Sequence, residues 1–71
     1  MDFDPVTITV QLDDDVAAQL AQFCKRSTYT MFFELTEAHL SHAERSQRAY
    51  MMINGIERIQ AALAKAGHAP R

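Results

Sequence analysis

Val6-Thr7-Ile8-Thr9-Val10-Gln11-Leu12 alternates apolar and polar residues without a break. In a strand, Val6, Ile8, Val10 and Leu12 share one face and Thr7, Thr9 and Gln11 the other. β-branched residues dominate the run, as strands favour. Pro5 precedes it, where a missing N–H does least harm. The pattern predicts a β-strand over 6–12. No other stretch of the 71 residues reads as a second strand, and unpaired backbone groups are costly to bury. The expectation is therefore a homodimer, in which a second copy supplies the matching strand across a two-fold axis. Val6, Ile8 and Val10 then belong to the dimer interface of an antiparallel intermolecular ribbon.

Downstream of this run the pattern turns helical. Asp13-Asp14-Asp15 suits a helix start, capping free N–H groups and complementing the positive end of the dipole. Val16, Leu20, Phe23 and Cys24 recur at helical spacing, with Ala17 and Ala21 beside them, and Lys25 and Arg26 close the element. The first helix is expected over about 13–26. Ser27-Thr28-Tyr29-Thr30 is a polar break, with Thr28 or Thr30 the cap of a second helix reaching about residue 40. Met31, Phe32 and Phe33 cannot all face one side of it, so some meet another element or a partner. Phe32 and Phe33 are assigned to the dimer interface with the ribbon.

Ser41-His42-Ala43-Glu44 has capping-box form. A long helix follows to about Ala66. Its seam, Ala49, Met52, Ile56, Ile59, Leu63 and Ala66, steps by three and four residues. Glu44 and Arg48 make a favourable i, i+4 pair. Gly55 interrupts the seam's helix at a cost of about 1 kcal/mol against Ala, and Asn54-Gly55 is equally readable as a break. Gly67 with Pro70 behind it forms a stop. The expected organisation is one domain over 1–71: a strand-helix-helix unit over 5–40, a C-terminal helix over 41–67 and a tail over 68–71.

Bulk properties narrow the function classes. The composition is 48% hydrophobic and 23% charged, too apolar for a disordered chain. One cysteine rules out an intramolecular disulfide, leaving oligomerisation as the staple a chain this short often needs. The first residues lack the basic and apolar regions of a signal peptide. No apolar run approaches the ~20 residues of a membrane span. A cytoplasmic protein without membrane contact is expected. Residues 1–24 carry five acids and no base, whereas residues 25–71 carry seven bases and four acids, giving the net charge of −2.

The order strand, helix, short turn, helix over residues 5–40 resembles the ribbon-helix-helix family of bacterial repressors and antitoxins. That resemblance implies a mainly α fold with one N-terminal strand and three helices, the long C-terminal helix being an addition to the family unit. It implies DNA as a partner, with the ribbon in the major groove and outward residues reading base edges. Carried onto this chain, the readers are Thr7, Thr9 and Gln11, and the helix start near Thr28 and Thr30 holds a phosphate.

A second resemblance rests on Phe23-Cys24-Lys25-Arg26-Ser27-Thr28-Tyr29, on Ala49-Tyr50-Met51-Met52, and on the tail Leu63-Ala64-Lys65-Ala66-Gly67-His68-Ala69-Pro70-Arg71. These segments are similar to a group of small proteobacterial proteins of unassigned function found on mobile elements. The group implies a bacterial origin and no catalytic residues.

Other candidate chemistry is sparse. His39 and His42 sit three apart and can share a helix face, but a metal needs further ligands. Cys24 falls on a core face with no base beside it. The aspartate run is accounted for by capping. No cofactor, metal or nucleophile–base arrangement is implied, and an enzyme is not expected. Two functions remain. One is a small dimeric DNA-binding regulator of ribbon-helix-helix type. The other is a mobile-element protein that binds a host, phage or plasmid protein and inhibits or modulates it, as an anti-defence or accessory factor, without DNA.

Overall fold

The structure, a computed structural model, describes residues 4–68. Three helices account for its regular structure: α1 (Asp14–Arg26), α2 (Tyr29–Glu34) and α3 (His42–Lys65). Pro70, part of the expected stop, lies outside the described residues, as do Ala69 and Arg71 of the tail.

Among the described residues there is no strand, so the expected N-terminal strand, the ribbon-helix-helix architecture and the intermolecular ribbon are not upheld. Residues 4–13 form an arm without regular structure. The reason is one of partners. A strand exists only where another strand offers N–H and C=O groups in register, and every other regular segment of this chain has closed its own hydrogen bonds within a helix. Alternation records which side chains could share a face, not whether a ladder exists.

α1 begins where the aspartates place it. Asp13 is the N-cap by backbone conformation, although its side chain makes no capping hydrogen bond. Asp14 and Asp15 fill the first turn and Lys25 and Arg26 the last, matching the helix dipole at both ends. The inward face is lighter than the sequence pattern suggests. Ala17, Ala21 and Cys24 are buried, whereas Val16 and Phe23 are about half exposed. The helix has rotated its small residues toward α3, and small side chains permit a closer axis-to-axis approach.

α2 is a helix of only 6 residues, not the element reaching residue 40 that the sequence suggested. Thr28 caps it, its Oγ1 accepting from the Met31 N–H at 3.4 Å. At the other end Thr36 Oγ1 donates to the Phe33 carbonyl at 2.6 Å. A carbonyl satisfied by a side chain needs no further turn of helix, and Leu35–Ser41 continues as turns and bends.

α3 is the spine. Ser41 caps it, Oγ accepting from the Glu44 N–H at 3.2 Å and donating to Glu44 Oε1 at 3.1 Å. Glu44 is thereby held at the cap, and Arg48 reaches Glu37 of the preceding turn at 3.4 Å rather than making the expected i, i+4 pair. Gly55 does not break the helix. The helix ends in a Schellman motif. The His68 N–H donates to the Leu63 carbonyl at 2.8 Å and the Gly67 N–H to the Ala64 carbonyl at 3.0 Å, with Gly67 at φ +100°, a conformation glycine adopts without a Cβ penalty.

α1 and α2 both pack on α3 and not on each other. α1 runs antiparallel along the C-terminal half of α3, where Ala17, Ala21, Cys24 and Leu63 form a core flanked by Leu20, Ile56 and Ile59. α2 lies along the N-terminal half. There Phe32 is buried, and the Tyr29 hydroxyl donates to Ser46 Oγ at 2.9 Å. Tyr29 also stacks against Tyr50 at 5.2 Å and Phe33 at 5.9 Å.

Candidate functional site

The arm does not close over the helices. Between it and the α1–α3 pair lies an open groove of about 1240 Å³. One wall is the arm, contributing Val6, Ile8, Val10 and Leu12 with the polar Thr7 and Gln11 among them; the floor and far wall are Ala17 and Leu20 of α1 with Gly55, Ile59, Ala62 and Leu63 of α3. The arm side chains barely touch the floor: Val6 is 87% exposed, Ile8 70% and Val10 68%. Polar groups stand at the edges, Asp13 and His68 at one end and Arg58 along α3. His68 Nε2 lies 3.2 Å from Asp14 Oδ1, tying the end of α3 to the start of α1.

A second, smaller recess on α3 is lined by Gln47, Tyr50, Met51 and Asn54. It belongs to the outer face, and Tyr50 and Met51 there are exposed.

The sequence-derived positions distribute as follows. Thr7, Thr9 and Gln11 are exposed on the arm and sit on no ribbon. Thr28 is engaged as the α2 cap, and Thr30 is exposed on that short helix. Val6, Ile8 and Val10 form the groove's outer wall. Phe32 is buried inside the chain at 6% exposure. Phe33 is half-buried beneath the Arg45 guanidinium and against the His42 ring, 5.1 Å away. The groove gathers Val6, Ile8 and Val10 together with Thr7 and Gln11, and leaves Thr9 and both phenylalanines elsewhere. What sequence reasoning missed is the opposing wall: Gly55 and Ala62 carry no side-chain bulk, so periodicity registers them only as gaps.

His39 precedes α3 and His42 begins it, so they do not share a helix face. Among the described residues no group of three or more His, Cys, Asp or Glu side chains is placed to hold a metal ion. Cys24 is a buried free thiol, and burial pushes its pKa up, with a backbone hydrogen bond pulling the other way. A raised pKa suppresses the thiolate, the nucleophilic form. No helix among the described residues is long and apolar enough to cross a membrane.

Comparison with known proteins places the chain by family alone. It belongs to a family of unknown function (DUF7706), whose model matches residues 1–71. No curated protein and no solved structure matches it. The family match carries no ribbon-helix-helix assignment and nothing about a mobile element, so neither resemblance drawn from the sequence is supported.

Proposed function

We propose that the chain is a protein-interaction module that docks an amphipathic helix of a partner protein in the groove between its arm and the α1–α3 pair. It acts on the partner by occupying it, not by transforming a substrate. One observation carries this reading: the imbalance between what the chain buries and what it shows. Its buried apolar residues are Ala17, Ala21, Cys24, Phe32, Ala49 and Leu63, four of them alanine or cysteine. Eleven large apolar side chains are exposed, including the arm's Val6, Ile8, Val10 and Leu12. Contiguous apolar surface rimmed by polar groups marks an interaction site, and a groove with anchors at alternating and helical spacings suits a helix laid in it.

Electrostatics favour a protein over a nucleic acid as occupant. Asp13 stands at the groove's edge, Asp14 and Asp15 follow it, and Asp4 begins the described arm. Phosphate backbones require the opposite sign. A free thiol suits a reducing compartment, and this reading places the protein in the cytoplasm.

The test is capture from the native host with the tagged full chain, with and without nuclease, beside the Ile8→Asp variant. The reading expects a defined protein that survives nuclease and is lost from the variant. Capture that vanishes with nuclease, or that ignores Ile8→Asp, would overturn it.

A further inference from the structure

Val6–Leu12 has the composition of a strand and no strand beside it in its own chain. Residues 4–13 run without a turn or bend, each of them exposed, and Asp13 at the junction with α1 is itself extended. The β-branched side chains of Val6–Val10 favour that extension. Among the described residues no backbone hydrogen bond engages the N–H and C=O groups of Val6–Leu12. The span is about 23 Å at strand spacing, an ordinary strand length. Pro5, lacking an N–H, bounds it on one side, and α1 bounds it on the other.

One kind of surface complements such a backbone: the edge of a β-sheet, where N–H and C=O groups stand open in the same rhythm. Strand addition takes its affinity from main-chain hydrogen bonds and its selectivity from alternate side chains. An existing sheet is favoured over a second arm on two counts. A two-stranded ribbon by itself is marginal in water. The arm is also acidic at both ends, with Asp4 at its described start and Asp13 where it meets α1. Two arms side by side set acid against acid, start to end if antiparallel and start to start if parallel, which destabilises the pair. Sheet edges are commonly guarded by lysine, the charge that those aspartates match.

We propose that the arm adds to the β-sheet of a partner protein, Val6–Leu12 lying as an extra strand along the sheet's open edge. The contact is made by the arm's backbone, so it stands independently of what fills the groove. In a strand the N–H and C=O groups point sideways within the sheet, and the side chains stand above and below it. An arm paired along one edge therefore keeps Ile8 and Val10 available to the groove that they line. A segment already extended loses less freedom on pairing than a coil does.

Two measurements on the full chain test this. A photoreactive benzophenone amino acid replaces Thr9, which stands outside the groove lining, and is activated in the native host; the adduct is mapped by mass spectrometry. It is expected on an edge strand of a β-sheet in a partner protein. An adduct on a helix, on nucleic acid or on a second copy of the chain overturns the proposal, as does the absence of any adduct. Amide hydrogen exchange is then followed by NMR with and without the purified partner. The amides of Val6–Leu12 are expected to exchange freely in the chain alone. In the complex every second one should slow at least about tenfold, because a single neighbour takes alternate N–H groups only. Uniform slowing, no slowing, or alternate protection already present in the chain alone overturns strand pairing. A partner lost with Ile8→Asp while the arm's amides stay fast overturns strand pairing and leaves the groove reading standing. Alternate protection that survives Ile8→Asp upholds strand pairing and removes the groove reading.

Discussion

The Arg45 guanidinium lies 4.4 Å above the centre of the Phe33 ring, while its Nη2 donates to the Phe33 backbone carbonyl at 3.1 Å. Its Nε donates to Thr36 Oγ1 at 2.8 Å. One side chain of α3 thus satisfies the end of α2, covers its aromatic face and holds the turn that follows. A planar fork with several donors does this; a lysine ammonium does not reproduce it. Arg45→Lys is expected to cost about 1–2 kcal/mol, from charge-assisted hydrogen bonds and the stacked cation. Thermal melting at fixed protein concentration checks it, at roughly 4–8 °C per kcal/mol for a chain of this size.

The helix caps separate by geometry. Ser41 Oγ accepts at 3.2 Å and also binds the Glu44 carboxylate, whereas Thr28 Oγ1 accepts at 3.4 Å. Ser41→Ala is expected to cost about 1 kcal/mol and Thr28→Ala less. Urea midpoints of the two variants order them, and a larger loss at Thr28 would contradict the ranking.

The two glycines should respond in opposite directions to alanine. Gly67 holds φ +100°, where a Cβ is strained, and its N–H closes the end of α3. Gly67→Ala is expected to destabilise by about 1 kcal/mol. Gly55 lies in open space within a regular helix, so Gly55→Ala is expected to raise helix stability by up to about 1 kcal/mol. Circular dichroism melts of both variants measure the difference.

Cys24 predicts an alkaline weakness. Its thiol, pushed by burial above the ordinary value of 9.0, keeps its proton in the folded chain after the unfolded chain has lost it. Once pH passes 9.0 the unfolded state therefore binds fewer protons than the folded one, and stability falls as pH rises toward the folded value. Below that window the contribution is flat. Cys24→Ala should show a shallower loss as pH rises past 9.0 in urea unfolding. The same burial should make the native thiol slow toward alkylating reagents until the chain unfolds.

Local chemistry wrote α1 and α3 into the sequence. The aspartates before Val16, the Ser41–Glu44 cap and the Gly67 stop all act within a few residues of themselves, so pattern was enough to read them. Ala49 and Leu63 of the α3 seam are buried and Ile56 and Ile59 half-buried, though Met52 and Ala66 lie further out. Tertiary structure decided the rest. α2 stops at Glu34 because Thr36 and, from twelve residues away, Arg45 take the Phe33 carbonyl; no local window contains that arginine. Val6–Leu12 carries the alternation of a strand, but alternation fixes only the side on which a residue would stand. Hydrogen bonds to a neighbour make a strand, and no described segment of this chain presents the backbone to form them. The run became the wall of an apolar groove instead, opposite a glycine and two alanines whose meaning lies in the space they leave.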